Sequence, residues 1–468
     1  MGEVTDMNNF DLSIIDSKKP IYFIGIGGIS MSALAVILHS DGFCVRGSDF
    51  KESDVTSDLE KRGIEVAIGH QAENVGDPSL VVYTAAIKDD NPELIKARTL
   101  KVPVIERAVL LGAIMKRYKN AIAVSGTHGK TTTTSMVAEV LMAAELNPTV
   151  LVGGMLSTIG GNLRDGGKEY MVTEACEYCG SFLKFSPTLS IILNVEEDHL
   201  DYFKDINDII GCFSDFVKLT PHDGAVIVNF DDEAAIKTVH NTTREVISFG
   251  IANKNADYTA ENITYNHEGC GHFDVLYKGK KIMEISLSVP GEHNIKNALS
   301  VVAAAEFLGL DKEAIKKGLN SFCGTGRRFE RKGEWEGVHL IDDYAHHPTE
   351  IKATLTAARN FGNGRVFCIF QPHTYTRSYK LKNEFAVSFS NCEEVIFADI
   401  YAAREKDTGL ISSKDLADAV NEVSKNAKYL GDFESIKEYV MKRVCPGDVI
   451  ITMGAGDIYK VGDMIINK

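Results

Sequence analysis

A-I-A-V-S-G-T-H-G-K-T-T-T-T-S, residues 121–135, decides how the rest of this 468-residue chain is read. An apolar run enters two closely spaced glycines, a lysine and four threonines, and S-M-V-A-E-V-L-M then carries the apolar spacing of an amphipathic helix. The pattern predicts strand, phosphate loop, helix. Glycines let successive backbone N–H groups turn toward phosphate oxygens, and the helix N-terminus adds the positive end of its dipole. Lys130 neutralises charge, and the Thr131 hydroxyl is placed to hold Mg²⁺. The site calls for a nucleoside triphosphate, with Gly126, Thr127, His128, Gly129, Lys130, Thr131 and Thr132 as its candidate ATP-binding residues. A loop with four residues between its glycines would need Gly at 124, where Val124 stands, so this is the shorter G-T-H-G-K-T.

Upstream, P-I-Y-F-I-G-I-G-G-I-S at 20–30 is an apolar strand running into a glycine turn and a helix over 31–39. A dinucleotide fingerprint would need Gly or Ala at position 30, where Ser30 stands, so Gly25, Gly27 and Gly28 favour another phosphate ligand over NAD. Asp49, after a strand expected over 43–47, is placed where such folds meet a ribose. Further strands are expected at 80–84 and 102–105, and the basic stretch 116–120 ends the first domain. Downstream, strand signals at 150–152, 170–173, 189–193 and 225–228 alternate with helices, the signature of a mostly parallel sheet. Residues 246–289 read as antiparallel strands. P-G-E-H-N-I-K-N at 290–297 then opens a helix with Asn294 and Asn297 on one face. Past 324–330 the rhythm restarts, with strands at 338–341, 365–370, 394–398 and 448–452 and a helix over 348–359.

The fold class is therefore α/β in three domains: an N-terminal Rossmann-like domain (1–117), a central P-loop ATPase with a mostly parallel sheet (118–325), and a C-terminal Rossmann-like α/β domain (326–468). A net charge of −15, from 65 acids against 50 bases, excludes unassisted nucleic-acid binding. No run of about 18 apolar residues exists, and M-G-E-V-T-D at the N-terminus lacks a basic region followed by an apolar one, so a cytoplasmic protein with no membrane partner is expected. Nine scattered cysteines fit a reducing compartment. Cys176 and Cys179 are the one close pair, and their role stays open.

Seven motifs, in order, carry a resemblance to the Mur ligase family over nearly the whole chain: G-I-G-G-I-S-M-S (25–32), G-T-H-G-K-T-T-T (126–133), N-V-E-E-D-H-L-D (194–201), G-E-H-N-I-K-N (291–297), G-T-G-R-R-F-E (324–330), D-D-Y-A-H-H-P (342–348) and Q-P-H-T-Y-T-R (371–377). The resemblance implies an ATP-dependent amide ligase that joins L-alanine to UDP-N-acetylmuramate through an acyl phosphate, in peptidoglycan precursor synthesis. It implies ATP and Mg²⁺ as cofactors and a monomer or homodimer. In the resembled family Glu174 and His199 hold magnesium with Thr131, and Asn294, Asn297 and Arg328 serve ATP. Asp343 is implied to contact the adenosine ribose. Spacing does not say which of Arg327 and Arg328 reaches a phosphate; Arg328 is taken by resemblance. Lys130, His199 and Arg328 are the catalytic candidates. Gly25, Gly27, Gly28 and Asp49 are expected at the UDP-sugar, and Tyr344, His346, His373 and Arg377 at the amino acid.

Departures from the family pattern are Cys176 within E-A-C-E and Thr374 where a basic residue is common, so Arg377 is expected to carry more of the substrate carboxylate. Segment 210–216 holds no lysine that could be carbamylated to bridge metals. Three rivals are weighed: a sister ligase attaching a murein tripeptide to UDP-N-acetylmuramate, argued against by Q-P-H-T-Y-T-R; an NAD(P)-dependent dehydrogenase, argued against by Ser30; and an idle ATP-binding scaffold.

Overall fold

Strand β1 (Ile21–Ile24) is buried at all four positions, as a strand covered on both faces must be, and so reads as a continuous apolar run. In the computed structural model, which describes residues 10–200, 202–361, 364–403 and 405–467, β1 pairs in parallel with β2 (Val45–Asp49) and β4 (Leu80–Tyr83). With β3 (Glu65–Ile68) and β5 (Val104–Glu106) the order is β3-β2-β1-β4-β5, all parallel. The direction of winding reverses beside β1, so the glycine turn leaving it opens at the switch point where ligands bind such sheets. Gly47 lets β2 lie against β1 there, because an added Cβ would stand 2.6 Å from the Phe23 carbonyl oxygen.

The second sheet is built from β6 (Asn120–Ser125), β7 (Thr149–Leu156), β8 (Gly161–Arg164), β9 (Tyr170–Ala175), β10 (Leu189–Ile192), β11 (Ala225–Asn229), β12 (Glu245–Gly250), β13 (Tyr258–Tyr265), β14 (Cys270–Tyr277) and β15 (Lys280–Pro290). Its order is β15-β14-β13-β12-β11-β10-β6-β9-β7-β8. The antiparallel expectation for 246–289 needs correcting at its first strand, since β12 runs parallel to β11 and only β13, β14 and β15 alternate in direction. The helix Glu233–Val239 joins β11 to β12, and a helical crossover returns the chain in the same sense. Lys278 and Gly279, at φ of +48° and +75°, make the tight two-residue turn that reverses β14 into β15.

The third sheet runs β16 (Glu330–Trp335), β17 (Val338–Asp343), β21 (Val449–Met453), β18 (Val366–Phe370), β19 (Glu394–Ala398), β20 (Ala427–Gly431), with β16 antiparallel and the rest parallel. Apolar clusters fill the faces of all three sheets. No helix among the described residues is long and apolar enough to cross a membrane. The first nine residues, including M-G-E-V-T-D, and Asp201 of the N-V-E-E-D-H-L-D motif lie outside the described residues.

Candidate active site

β6 ends at Ser125 and the helix Lys130–Ala143 begins five residues later. Between them Gly126 and Gly129 take φ of +138° and +84°, values that a side chain would strain. Asn194, just past β10, fixes this loop: its Oδ1 accepts from the His128 N–H at 2.7 Å and its Nδ2 donates to the His128 carbonyl at 3.1 Å. The Thr127 hydroxyl accepts from the Glu196 N–H at 2.9 Å. Lys130 curls over the loop, donating to the Thr127 carbonyl at 3.1 Å and to Glu177 Oε2 at 3.1 Å. Burial works against the ammonium, but the Glu177 carboxylate raises its pKa, so the lysine stays charged.

Thr131 and Glu174 each approach bare backbone in β7. The Gly153 N–H donates to Glu174 Oε1 at 2.6 Å. A Cβ on Gly153 would stand 2.9 Å from that oxygen, and one on Gly154 would stand 3.2 Å from Thr131 Cγ2. His199 sits on the loop after β10 at φ +51°, its Nε2 3.9 Å from Glu177 Oε1 and 3.9 Å from Asp198 Oδ2. A hydroxyl and a carboxylate beside glycines whose Cβ atoms would crowd them are oxygen donors that suit Mg²⁺ keeping several waters, and His199 lies across Glu177 from Lys130. Cys176 and Cys179 are both free, and burial pushes the Cys176 thiol up to about 11, away from the thiolate that metal binding requires.

Two clefts flank this centre. The first, about 910 Å³ of open space, is lined by His128, Gly129 and Thr132 from the loop side, Asn294 and Asn297 from the helix Glu292–Phe307, and Arg328 and Asp343 from the third sheet's segment. Asn294 is held by the Pro290 carbonyl at 2.8 Å and in turn accepts from Asn297 at 3.2 Å. The neighbouring arginines divide their work. Arg327 donates from Nε to Asp342 at 2.9 Å and from its terminal nitrogens to the Gly456 and Gly454 carbonyls at 3.0 and 2.7 Å. Arg328 faces the cleft, its guanidinium 4.9 Å from the Tyr344 ring centroid. Asp343 accepts from the Phe329 and Ala345 N–H groups at 2.9 and 2.7 Å, and burial lifts its carboxyl to about 6.

The second cleft, about 820 Å³, is lined by Asp198 and His199 from the central segment and by His373, Thr374, Arg377 and Lys380 from the C-terminal one. Tyr344 and His346, expected at the amino acid, do not line it: Tyr344 is a platform under Arg327 and Arg328, and His346 packs edge-on behind His373 at 5.7 Å. Arg377 already grips a carboxylate of the protein itself. Its Nε and one terminal nitrogen donate to Asp198 Oδ1 at 3.2 and 2.8 Å, and the other terminal nitrogen meets His373 Nδ1 at 3.1 Å. Burial opposes the Asp198 charge, yet Arg377 holds its carboxyl well below the usual range. Burial and the Arg377 charge push His373 down to about 4, so its imidazole is neutral near pH 7. Donors on both terminal nitrogens of Arg377 remain for a second acceptor.

Far from both clefts in sequence, Gly25, Gly27 and Gly28 form the turn after β1, where Gly25 takes φ +82°. Asp49, at the end of β2, accepts from the Gly27 N–H at 2.8 Å. Sequence reading passed over Glu177, Asn194, Asp198 and Glu350 as partners. The first three lie inside quoted motifs, whereas Glu350 is one turn into the helix Pro348–Asn360 and becomes notable only because His128 Nδ1 is 3.1 Å away.

This arrangement of phosphate loop, two clefts and three α/β sheets is that of a whole family. Residues 20–119, 124–305 and 327–456 match the Mur ligase catalytic, middle and glutamate ligase domains respectively. The chain belongs to the Mur ligase family. It is 53% identical over 457 residues, 97% of each chain, to a UDP-N-acetylmuramate–L-alanine ligase of Acetivibrio thermocellus, and 52% identical over 451 residues, 96% of this chain and 98% of the relative, to one of Clostridium novyi. Among solved structures, the UDP-N-acetylmuramate-alanine ligase MurC of Thermotoga maritima matches with a TM-score of 0.79 at 32% identity, covering 96% of this chain and 98% of that one. A murein peptide ligase of Psychrobacter arcticus shares the fold at a TM-score of 0.69 and 24% identity, covering 96% and 98%.

Proposed function

We propose that this chain is an ATP-dependent ligase that joins L-alanine to UDP-N-acetylmuramate through an acyl phosphate. The arrangement that carries this reading is the Lys130–Glu177–His199 chain of contacts between the two clefts. Lys130 begins the helix whose glycine turn lines the first cleft, and His199 lines the second. ATP in the first cleft and an amine in the second would then face one reacting carboxylate from opposite sides.

The carboxylate of the sugar nucleotide attacks the γ-phosphorus and ADP leaves; the neutral amine of alanine attacks the acyl carbon and inorganic phosphate leaves. In the first step Lys130 neutralises the transferring phosphoryl oxygens, which is where most of the catalytic gain in such transfers arises. Thr131, Glu174 and His199 would hold Mg²⁺, which supplies further charge neutralisation on the phosphates. Asn294, Asn297 and Arg328 position the nucleotide, and Asp343, with both oxygens already bonded to backbone, offers its remaining lone pairs to a ribose hydroxyl. Arg328 fits the phosphate role better than Arg327, whose guanidinium is turned to Asp342 and to the Gly454 and Gly456 carbonyls and does not line the first cleft. Arg377 holds the alanine carboxylate with its free donors while Asp198 anchors its other edge, and neutral His373 stands beside the amine. Segments 1–117, 118–325 and 326–468 divide the substrates: UDP-sugar on Gly25, Gly27, Gly28 and Asp49, ATP in the centre, amino acid and adenosine contacts at the C-terminal side.

Both clefts are built from one chain, so we take a single chain as the working unit, with sedimentation deciding between monomer and homodimer. Free cysteines and nucleotide substrates support a cytoplasmic reaction, which fractionation would check. A coupled ADP-release assay with UDP-N-acetylmuramate should respond to L-alanine far above other amino acids and above the murein tripeptide. Carboxylate ¹⁸O should appear in the released phosphate; tripeptide preference or unlabelled phosphate would overturn the reading.

A further inference from the structure

We propose that His128, Glu196 and His347 form a binding site for a transition-metal dication of the zinc type, separate from the magnesium donors and shared between the central and C-terminal segments. One ligand atom from each of the three lies within 4.8 Å of the other two. His128 Nε2 is 3.6 Å from Glu196 Oε2, and His347 Nδ1 is 3.9 Å from the same oxygen. A tetrahedral ion with bonds of about 2.0–2.1 Å holds its ligand atoms roughly 3.3–3.4 Å apart, so the two pairs with Glu196 need to contract by roughly half an ångström or less, and the His128–His347 pair closes from within 4.8 Å.

The outer nitrogens of both rings are already engaged. His347 Nε2 donates to the Glu197 carbonyl at 3.1 Å, which puts its proton there and leaves Nδ1 an acceptor; as the helix N-cap it takes the Thr349 N–H at a long 3.4 Å, the bond that an ion would replace. His128 Nδ1 is 3.1 Å from Glu350 Oε1, so its N–H donates to that carboxylate and Nε2 faces inward. An outer hydrogen bond from each imidazole, one to a carboxylate and one to a carbonyl, is the arrangement that orients metal-bound histidines. The inward atom of His128 is also unsatisfied: Nε2 is buried and lacks a hydrogen-bond partner among the described residues, with Glu196 too distant to serve. A buried polar atom without a partner is costly, and an ion at this point would supply one.

Burial disfavours charge on His128, but Glu350 and Glu196 raise its pKa to about 9, so the proton on Nε2 is what a metal would displace. Two imidazoles and one carboxylate favour zinc-like ions over magnesium, which prefers oxygen ligands and its own water. A fourth position would open toward the nucleotide cleft, which His128 and Glu196 help to line.

The test uses the full chain with Mg²⁺ in excess, so that the oxygen-rich centre is occupied, and titrates Co²⁺ as a spectroscopic probe, then Zn²⁺ in competition. About one equivalent of Co²⁺ should bind with d–d absorption of low coordination number and be displaced by Zn²⁺. Losing an outer partner of a ligand typically costs 10–100-fold in metal affinity, so Glu196→Gln and His347→Ala should each weaken binding by at least ~10-fold. The Thr349 hydroxyl donates to Glu196 Oε2; Glu196→Gln keeps an acceptor for it and guards against a folding artefact, with circular dichroism as the check. No binding against Mg²⁺, equal binding in folded variants, or a thiolate charge-transfer band that both variants retain would overturn the proposal. Because binding is read without turnover, this test stands or falls apart from the ligase reading.

Discussion

Two strand–turn–helix junctions in this chain begin alike and are finished differently. The turn after β1 leads into the helix Ile29–Ser40, and the turn after β6 leads into Lys130–Ala143. Each uses glycine at positive φ and presents backbone N–H groups at a helix N-terminus. At the first, an acid takes the turn: Asp49 accepts the Gly27 N–H, and Ile29 and Phe50 stand 60% and 77% exposed beside it. At the second, an uncharged amide takes it: Asn194 brackets His128, and a half-buried ammonium lies over the loop. A helix N-terminus favours anions in general. Under the proposed function, the side chain that occupies the turn selects which ligand it receives, a carboxylate welcoming hydroxyls near a diphosphate and an ammonium welcoming the most highly charged phosphoryl group.

The sharpest way to break this contrast is Lys130→Ala. Removing the charge at the second junction should lower ligation by about 10³-fold in coupled ADP assays while UDP-N-acetylmuramate still binds by calorimetry. Near-normal turnover would mean that the two junctions do not differ as described. Arg377→Ala comes next: loss of a charged hydrogen-bond partner costs about 1.5–3 kcal/mol, so kcat/KM for L-alanine should fall roughly 10- to 200-fold with the KM for ATP nearly constant. Unaltered alanine kinetics would move the carboxylate site away from the second cleft.

Asp49→Asn keeps an acceptor for Gly27 but removes the charge, and should raise the KM for UDP-N-acetylmuramate about 10-fold without changing that for ATP. A change in the ATP constant instead would erase the division of labour between the junctions. The smallest effect concerns pH. Asp198 is held below its ordinary value of 3.8 by Arg377 against the cost of burial. A depressed carboxyl stabilises the fold fully above its unfolded pKa and loses that contribution as pH falls through the folded one. The parent should therefore lose thermal stability below about pH 4 more steeply than Asp198→Asn, which should also melt about 1–2 °C lower at neutral pH.

Legibility followed burial. Buried strands such as β1 and β18 are continuous apolar runs and stand out in the sequence. β3, β8, β16 and β20 gave no such signal, and each is at the edge of its sheet with mostly half-buried or exposed residues. An edge strand owes its place to a neighbour's ladder more than to its own apolar content. The second strand shows the same limit, expected over 43–47 and found at Val45–Asp49, because pairing with β1 sets its register.

The sequence by itself determined the phosphate loop, the α/β alternation and the family, because glycine conformation, helix dipole and apolar period are properties of contiguous residues. Tertiary structure decided the pairings. Arg327 is distinguished from Arg328 by carbonyls more than 120 residues away, Arg377 meets an aspartate 179 positions back, and His128 meets Glu350 across two segments. Local spacing carries no information about such partners. Their separation is set by how the second and third sheets bring strand ends together, and at those distances charge and hydrogen bonding act through space alone.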